Sequence, residues 1–170
     1  AIPAGVMSDS TPPRGSKRGT LTILLGAAPG VGKTVAMLQE GHRLRAEGRD
    51  VVVGLIETHG RRDTEAQIGD LELIPRKLVE HRGVTIPEMD VTAVLDRKSQ
   101  VVLVDELAHT NAAGSDRQKR YQDVELLLDH GIDVITTVNI QHLESLNDVV
   151  ESITGIRVRE TLPDWVLEEA

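Results

Sequence analysis

The stretch Leu21-Thr22-Ile23-Leu24-Leu25-Gly26-Ala27-Ala28-Pro29-Gly30-Val31-Gly32-Lys33-Thr34 runs an apolar strand into a glycine-rich turn, and the turn into a helix. Such a turn exposes successive backbone N–H groups that can surround a phosphate. Gly30 and Gly32 permit the backbone angles and the close approach this needs. The helix that leaves the turn adds the positive end of its dipole. The Lys33 ammonium can reach the β- and γ-phosphates of a nucleotide, and the Thr34 hydroxyl can ligate Mg²⁺. Ala28, Pro29, Gly30, Val31, Gly32, Lys33 and Thr34 are therefore expected to bind ATP, with Mg²⁺ as its companion ion. Ala27 stands where the strict P-loop pattern has glycine, and an alanine with negative φ keeps the turn. A dinucleotide reading of Gly30-Val31-Gly32 fails, because Lys33-Thr34 follow instead of a spaced third glycine.

Outward from this stretch, short apolar runs alternate with helical patterns. Five runs read as strands: Leu21–Leu25, Val51–Ile56, Val101–Val104, Val134–Val138 and Ile156–Arg159. Consecutive valines in the second and third suit strands covered on both faces. Helices are expected over Thr34–Glu47 before Gly48, over Arg117–His130 before Gly131, and over Gln141–Ile153 before Gly155. Asp90 is placed to cap a short helix running through Lys98, and Asp63 one reaching about Leu71. Lys77–Glu80 and Val84–Ile86 flank Arg82-Gly83, which reads as an appended hairpin, with an irregular loop as the alternative. Strand–helix alternation implies a three-layer α/β sandwich of the P-loop NTPase type around a mainly parallel five-stranded sheet.

The third strand ends in Asp105-Glu106. Asp105 can hold a water on Mg²⁺, so Thr34 and Asp105 are the metal candidates. Glu106 is placed to polarise an attacking water, or is an ordinary strand-end carboxylate. Thr136-Thr137-Val138-Asn139 end the fourth strand. They can sense the γ-phosphate if that strand lies between the first and the third, which predicts the order 5-1-4-3-2 for strands numbered along the chain. Asn139, counted among the nucleotide-binding candidates, equally suits the cap of the next helix. Arg61 and Arg62 follow the second strand as arginine-finger candidates or as solvated surface charges. His59, His109 and His142 each lie shortly past a strand end and either gather near the γ-phosphate side or are unrelated.

The composition narrows the classes. The 170 residues include no cysteine, so disulfides, zinc–thiolate sites and thiol catalysis are excluded. A net charge of −8 argues against nucleic acid as a partner. One Trp, one Tyr and no Phe leave the core to Val, Leu, Ile and Ala. No apolar run approaches the roughly 18 residues needed to span a bilayer, so direct membrane insertion is not expected. Residues 1–19, rich in Pro and Gly, read as a disordered leader or cloning remnant, and residues 20–170 as one domain.

From about Lys17 onward, the chain resembles the N-terminal cytoplasmic domain of the KdpD family, osmosensitive potassium-channel sensor histidine kinases. The matching stretches are Gly26–Thr34, Asp105-Glu106-Leu107-Ala108-His109-Thr110-Asn111, Gln141-His142-Leu143-Glu144-Ser145-Leu146-Asn147-Asp148 and Arg157-Val158-Arg159-Glu160-Thr161-Leu162-Pro163-Asp164. The first stretch alone would be weak; the second and third are far more specific. The resemblance implies a cytoplasmic regulatory ATP site. It also implies partners among the other domains of the same sensor: a universal-stress-protein-like domain, transmembrane helices and a distant kinase core. Other regulatory proteins are further partners to expect. The acidic end Val166-Leu167-Glu168-Glu169-Ala170 reads as a truncation. Two further readings are a free-standing P-loop phosphotransferase or ATPase acting on a small molecule, and a docking module that has kept its P-loop without using it.

Overall fold

The computed structural model describes residues 18–26, 31–58, 60–139 and 157–160. In chain order the elements are β1 (Leu21–Gly26), α1 (Val31–Ala46), β2 (Val51–Leu55), α2 (Arg62–Ala66), β3 (Glu72–Leu73), β4 (Lys77–His81), β5 (Val84–Glu88), α3 (Val91–Arg97), β6 (Val101–Val104), α4 (Arg120–Asp129), β7 (Asp133–Asn139) and β8 (Arg157–Glu160). The expected helix over 141–153 and residues 1–17 of the expected leader lie outside the described residues.

The main sheet has six strands in the order β3-β2-β6-β7-β1-β8, and each neighbouring pair is parallel. Read from β8 to β2 this is the expected 5-1-4-3-2. The two-residue β3 adds an unforeseen edge beyond β2. Both its residues are exposed, so it carries no apolar run to betray it. Arg97 steadies it by pairing with Glu72 at 2.7 Å and with Asp50 at 2.8 Å.

Alternation along the strands divides the core. Val51, Val53, Val101, Leu103 and Ile135 pack with Met37 and Leu38 of α1 on one face. Val52, Val102, Val104, Val134 and Val138 pack with Val94 of α3 and Val124, Leu127 and Leu128 of α4 on the other. A strand with both faces buried needs apolar residues at every position, and β6, all Val and Leu, meets that need. Gly41 lets α1 lie close to the sheet: a Cβ there would sit 2.6 Å from Leu103 Cδ1.

α1 starts at Val31, ahead of its expected start, so Gly32, Lys33 and Thr34 lie in its first turn. Asp90 caps α3, its side chain accepting from the Ala93 N–H at 3.0 Å. Asp63 does not cap α2. It lies inside the first turn, Arg61 holds the cap position with no side-chain bond, and the helix stops at Ala66. Turns over 67–70 follow, with Gly69 at φ 57°, so the helix does not reach Leu71. α4 starts three residues after Arg117, because Asn111 N–H bonds back to Gln118 O at 2.9 Å and closes a loop there. β4 and β5 form the expected antiparallel hairpin, separate from the main sheet, around Arg82-Gly83. Among the described residues no helix is long and apolar enough to cross a membrane.

Candidate functional site

Parallel strands deliver the loops at their carboxyl ends to one edge of the sheet. Gly26 ends β1 beside Asn139, which ends β7 in register with it. Asp105 and Glu106 follow β6, and Glu57 follows β2 by two residues. The first turn of α1 closes on this edge from one face. The leading N–H groups of a helix have no partner within the helix.

Asp105 is the centre of the arrangement, with only 1% of its surface exposed. Its Oδ2 accepts the Thr34 hydroxyl at 2.9 Å and the Glu57 backbone N–H at 3.1 Å. Its Oδ1 accepts the Thr137 hydroxyl. Thr137 Oγ1 in turn accepts the Glu106 N–H at 2.9 Å, and the Leu107 N–H donates to the Thr137 carbonyl at 3.0 Å. The turn after β6 is therefore stitched to the end of β7. Glu106 adopts φ 55°, a left-handed conformation that costs a non-glycine residue of order 1–3 kcal/mol. Its side chain is exposed at the edge.

A second ring of buried polar groups backs this turn. Arg120, 1% exposed, donates from Nη1 to the carbonyls of Asp105 at 3.0 Å and Glu106 at 3.3 Å. Its Nη2 reaches Glu88 Oε1 at 3.3 Å. Glu88 ends β5 and also accepts the Ala112 N–H at 2.6 Å and His109 Nε2 at 3.0 Å. Burial pushes the Arg120 guanidinium down, against the pull of Glu88, Glu106, Glu57 and Asp105. Burial is also the largest influence on Glu88, pushing its carboxyl up. The bonds from His109 and Ala112, with the charges of His109 and Arg120, outweigh it and hold the carboxyl below the usual range.

Of the expected site residues, Thr34 and Asp105 meet directly. Lys33 and Gly32 share the α1 turn with Thr34, and Glu106 and Asn139 occupy the same edge. Ala28, Pro29 and Gly30 lie outside the described residues, and Val31 is the first residue of α1. His59 and His142 also lie outside them; the His109 ring is turned to Glu88. Arg61 and Arg62 are exposed. An arginine that the sequence reading passed over, Arg76, lies at the edge instead, pairing with Glu57 at 3.3 Å. Glu88 and Arg120 were also missed. Arg120 left a signal, since it precedes Val124, Leu127 and Leu128 by four, seven and eight residues on the buried face of α4. A charge at such a position needs a buried partner. Glu88 left none: its hairpin neighbours Thr85, Ile86 and Pro87 are all exposed.

Comparison with known proteins agrees with the motif strings. The model of the family described as the osmosensitive K+ channel His kinase sensor domain, KdpD, matches residues 17–170. The sensor protein KdpD of Mycobacterium tuberculosis (strain CDC 1551 / Oshkosh) is 60% identical over 155 residues, covering 91% of this chain and 18% of that protein. That of Escherichia coli (strain K12) is 58% identical over 153 residues, 90% of this chain and 17% of that protein. That of Rathayibacter rathayi is 60% identical over 149 residues, 87% of this chain and 17% of that protein. The chain thus spans 17–18% of the length of these relatives. It belongs to the KdpD family of osmosensitive K+ channel His kinase sensor domains.

Proposed function

We propose that this domain binds ATP with Mg²⁺ and acts as a regulatory, sensory module of a potassium-responsive two-component sensor histidine kinase. The observation that carries this reading is the 2.9 Å bond from the Thr34 hydroxyl to the buried Asp105 carboxylate. A hydroxyl that gives its proton to a carboxylate keeps its oxygen lone pairs for a cation. The two side chains come from positions 71 residues apart, and the strand order that brings them together supports reading the sheet as P-loop NTPase-like. Thr34 and Asp105 are the residues that would hold Mg²⁺. Ala28 to Gly32 and Lys33 would hold the phosphates, the last with its ammonium toward the β- and γ-phosphates, and Asn139 would face the nucleotide from β7. ATP supplies charge and a cleavable phosphoanhydride; the protein supplies fixed donors and a dry carboxylate.

The edge is better built for holding than for turnover. Thr137, a candidate γ-phosphate sensor by position, already spends its hydroxyl on Asp105 and on the Glu106 N–H. Its role in this reading is to fix the Asp105–Glu106 turn. Glu106 is the residue we assign to water activation, and with Arg61 and Arg62 exposed no arginine finger is assigned beside it, so hydrolysis is expected to be slow or absent. The domain's partners are the nucleotide, other domains of the same sensor and other regulatory proteins. It works on the cytoplasmic side and modulates a distant kinase core. Calorimetric titration with ATP and ADP, with and without Mg²⁺, followed by a phosphate-release assay, tests the reading. Binding with little turnover is expected, and Glu106→Gln should abolish any residual hydrolysis while ATP stays bound. Absence of binding would reject the proposal, and hydrolysis indifferent to Glu106→Gln would reject the role of that residue.

A further inference from the structure

The fork of Arg120 ties three pieces of chain together at a buried point. Nη1 bridges two successive carbonyls, those of Asp105 and Glu106, and Nη2 holds Glu88 at the end of β5. Burying a guanidinium is strongly unfavourable unless its donors are satisfied by partners of good geometry. Here the partners belong to the turn after β6 and to the hairpin. The turn needs such a tether. Glu106 is left-handed at φ 55°, and its N–H leans on Thr137 Oγ1, which also donates to Asp105. Glu88 pairs with Lys77 across the hairpin, so any movement of β4 against β5 bears on the carboxylate that holds Arg120. His109 and the Ala112 N–H hold Glu88 from the loop side. The chain Glu88–Arg120–Asp105/Glu106 is thus one continuous set of hydrogen bonds from hairpin to edge.

We propose that Arg120 is a positioning residue, anchored by Glu88 of the β4–β5 hairpin, that holds the Asp105–Glu106 turn in its cation-ready shape and so makes Mg²⁺-dependent nucleotide binding sensitive to the hairpin. This inference rests on the reading of Thr34 and Asp105 as the cation pair. Lysine keeps the charge but cannot span two carbonyls and a carboxylate with one planar fork.

The test uses the 170-residue chain as wild type, Arg120→Lys, Glu88→Gln and the double variant. ATP affinity is measured by calorimetry in EDTA and in Mg²⁺, and exchange of the Glu106 and Leu107 amides by NMR. Either single variant should lower the gain in affinity that Mg²⁺ brings by about tenfold, within the usual range of coupling between sites. The affinity in EDTA should hold, and the double variant should lose no more than the larger single loss. Glu106 and Leu107 should exchange faster in both variants, while the amides of β2 do not. A merely structural role would lower thermal stability and leave the Mg²⁺ gain and the two amides as in wild type, and that result overturns the proposal. Additive losses in the double variant would break the link to the hairpin. If the wild-type chain binds no ATP, the nucleotide reading fails by itself, and the two amides still decide whether Arg120 holds the turn: unchanged exchange refutes it.

Discussion

Asp105 accepts three hydrogen bonds from three different segments, and each donor does a different job. The Thr34 hydroxyl ties the first turn of α1 to the sheet edge, the Thr137 hydroxyl joins β7 to the turn after β6, and the Glu57 N–H brings in the end of β2. Thr136, next to Thr137, shows the opposite case. Its hydroxyl is fully buried, on the α4 side of the sheet, with no hydrogen-bond partner among the described residues. Thr136→Val keeps the shape and removes the unsatisfied group, so it should stabilise the domain by about 1 kcal/mol in urea unfolding. A lower unfolding midpoint would mean that the hydroxyl has a partner after all. Glu88 carries a pH dependence. Its carboxyl in the folded protein is held below the usual value, so between the two values the unfolded chain binds more protons and stability rises with pH. Its contribution is therefore complete above the ordinary carboxylate range, near about 4.3, and is lost as pH falls through the folded value. The stability difference between wild type and Glu88→Gln should shrink as pH drops from about 6 toward about 3. A difference constant over that window would contradict the assignment.

At the scale of elements, the hairpin is poorly sheltered, with Leu78, Val84 and Ile86 exposed. Its turn places Arg82 at φ 51° and Gly83 at φ 79°, both left-handed. That is the geometry for which Asn-Gly is the favoured pair. Arg82→Asn should therefore stabilise the hairpin by up to about 1 kcal/mol, read as slower exchange of the β4 and β5 amides. Unchanged exchange would mean that the turn does not limit its opening. The turn was legible because Arg82-Gly83 breaks two alternating runs. The strands of the core were legible because burial on both faces forces unbroken Val, Leu and Ile. The short pieces were not. α2 is only 5 residues long, too short for periodicity to mark its ends, and Asp63 suggested a cap two residues too late. β3 is held by Arg97 and by the Ile74 N–H bond to Val53 O, contacts that no local pattern announces. Half of the candidate site was likewise readable, since Lys33, Thr34, Asp105 and Glu106 lie in motifs. The backing ring of Glu88, His109 and Arg120 joins residues that only the fold brings together.

Over the whole molecule, the parallel order β2-β6-β7-β1 sets the ends of β7 and β6 beside the entry to α1. One strand between β1 and β6 leaves room for Thr34 to reach Asp105 across β7, and Thr137 on that strand fills the middle. The described part of the candidate site thus draws on β1, β2, β6, β7 and α1 together. The same topology leaves the hairpin outside the main sheet yet bonded through Glu88 to Arg120. The central claim is that the first turn of α1 and Asp105 hold Mg²⁺-ATP. The most direct measurement is the ATP affinity, by calorimetry in Mg²⁺, of wild type against Lys33→Ala and Gly32→Val, with folding checked by circular dichroism. The account predicts at least about tenfold weaker binding in each variant, about 1.4 kcal/mol, with the fold intact. Equal affinity in all three proteins would contradict it.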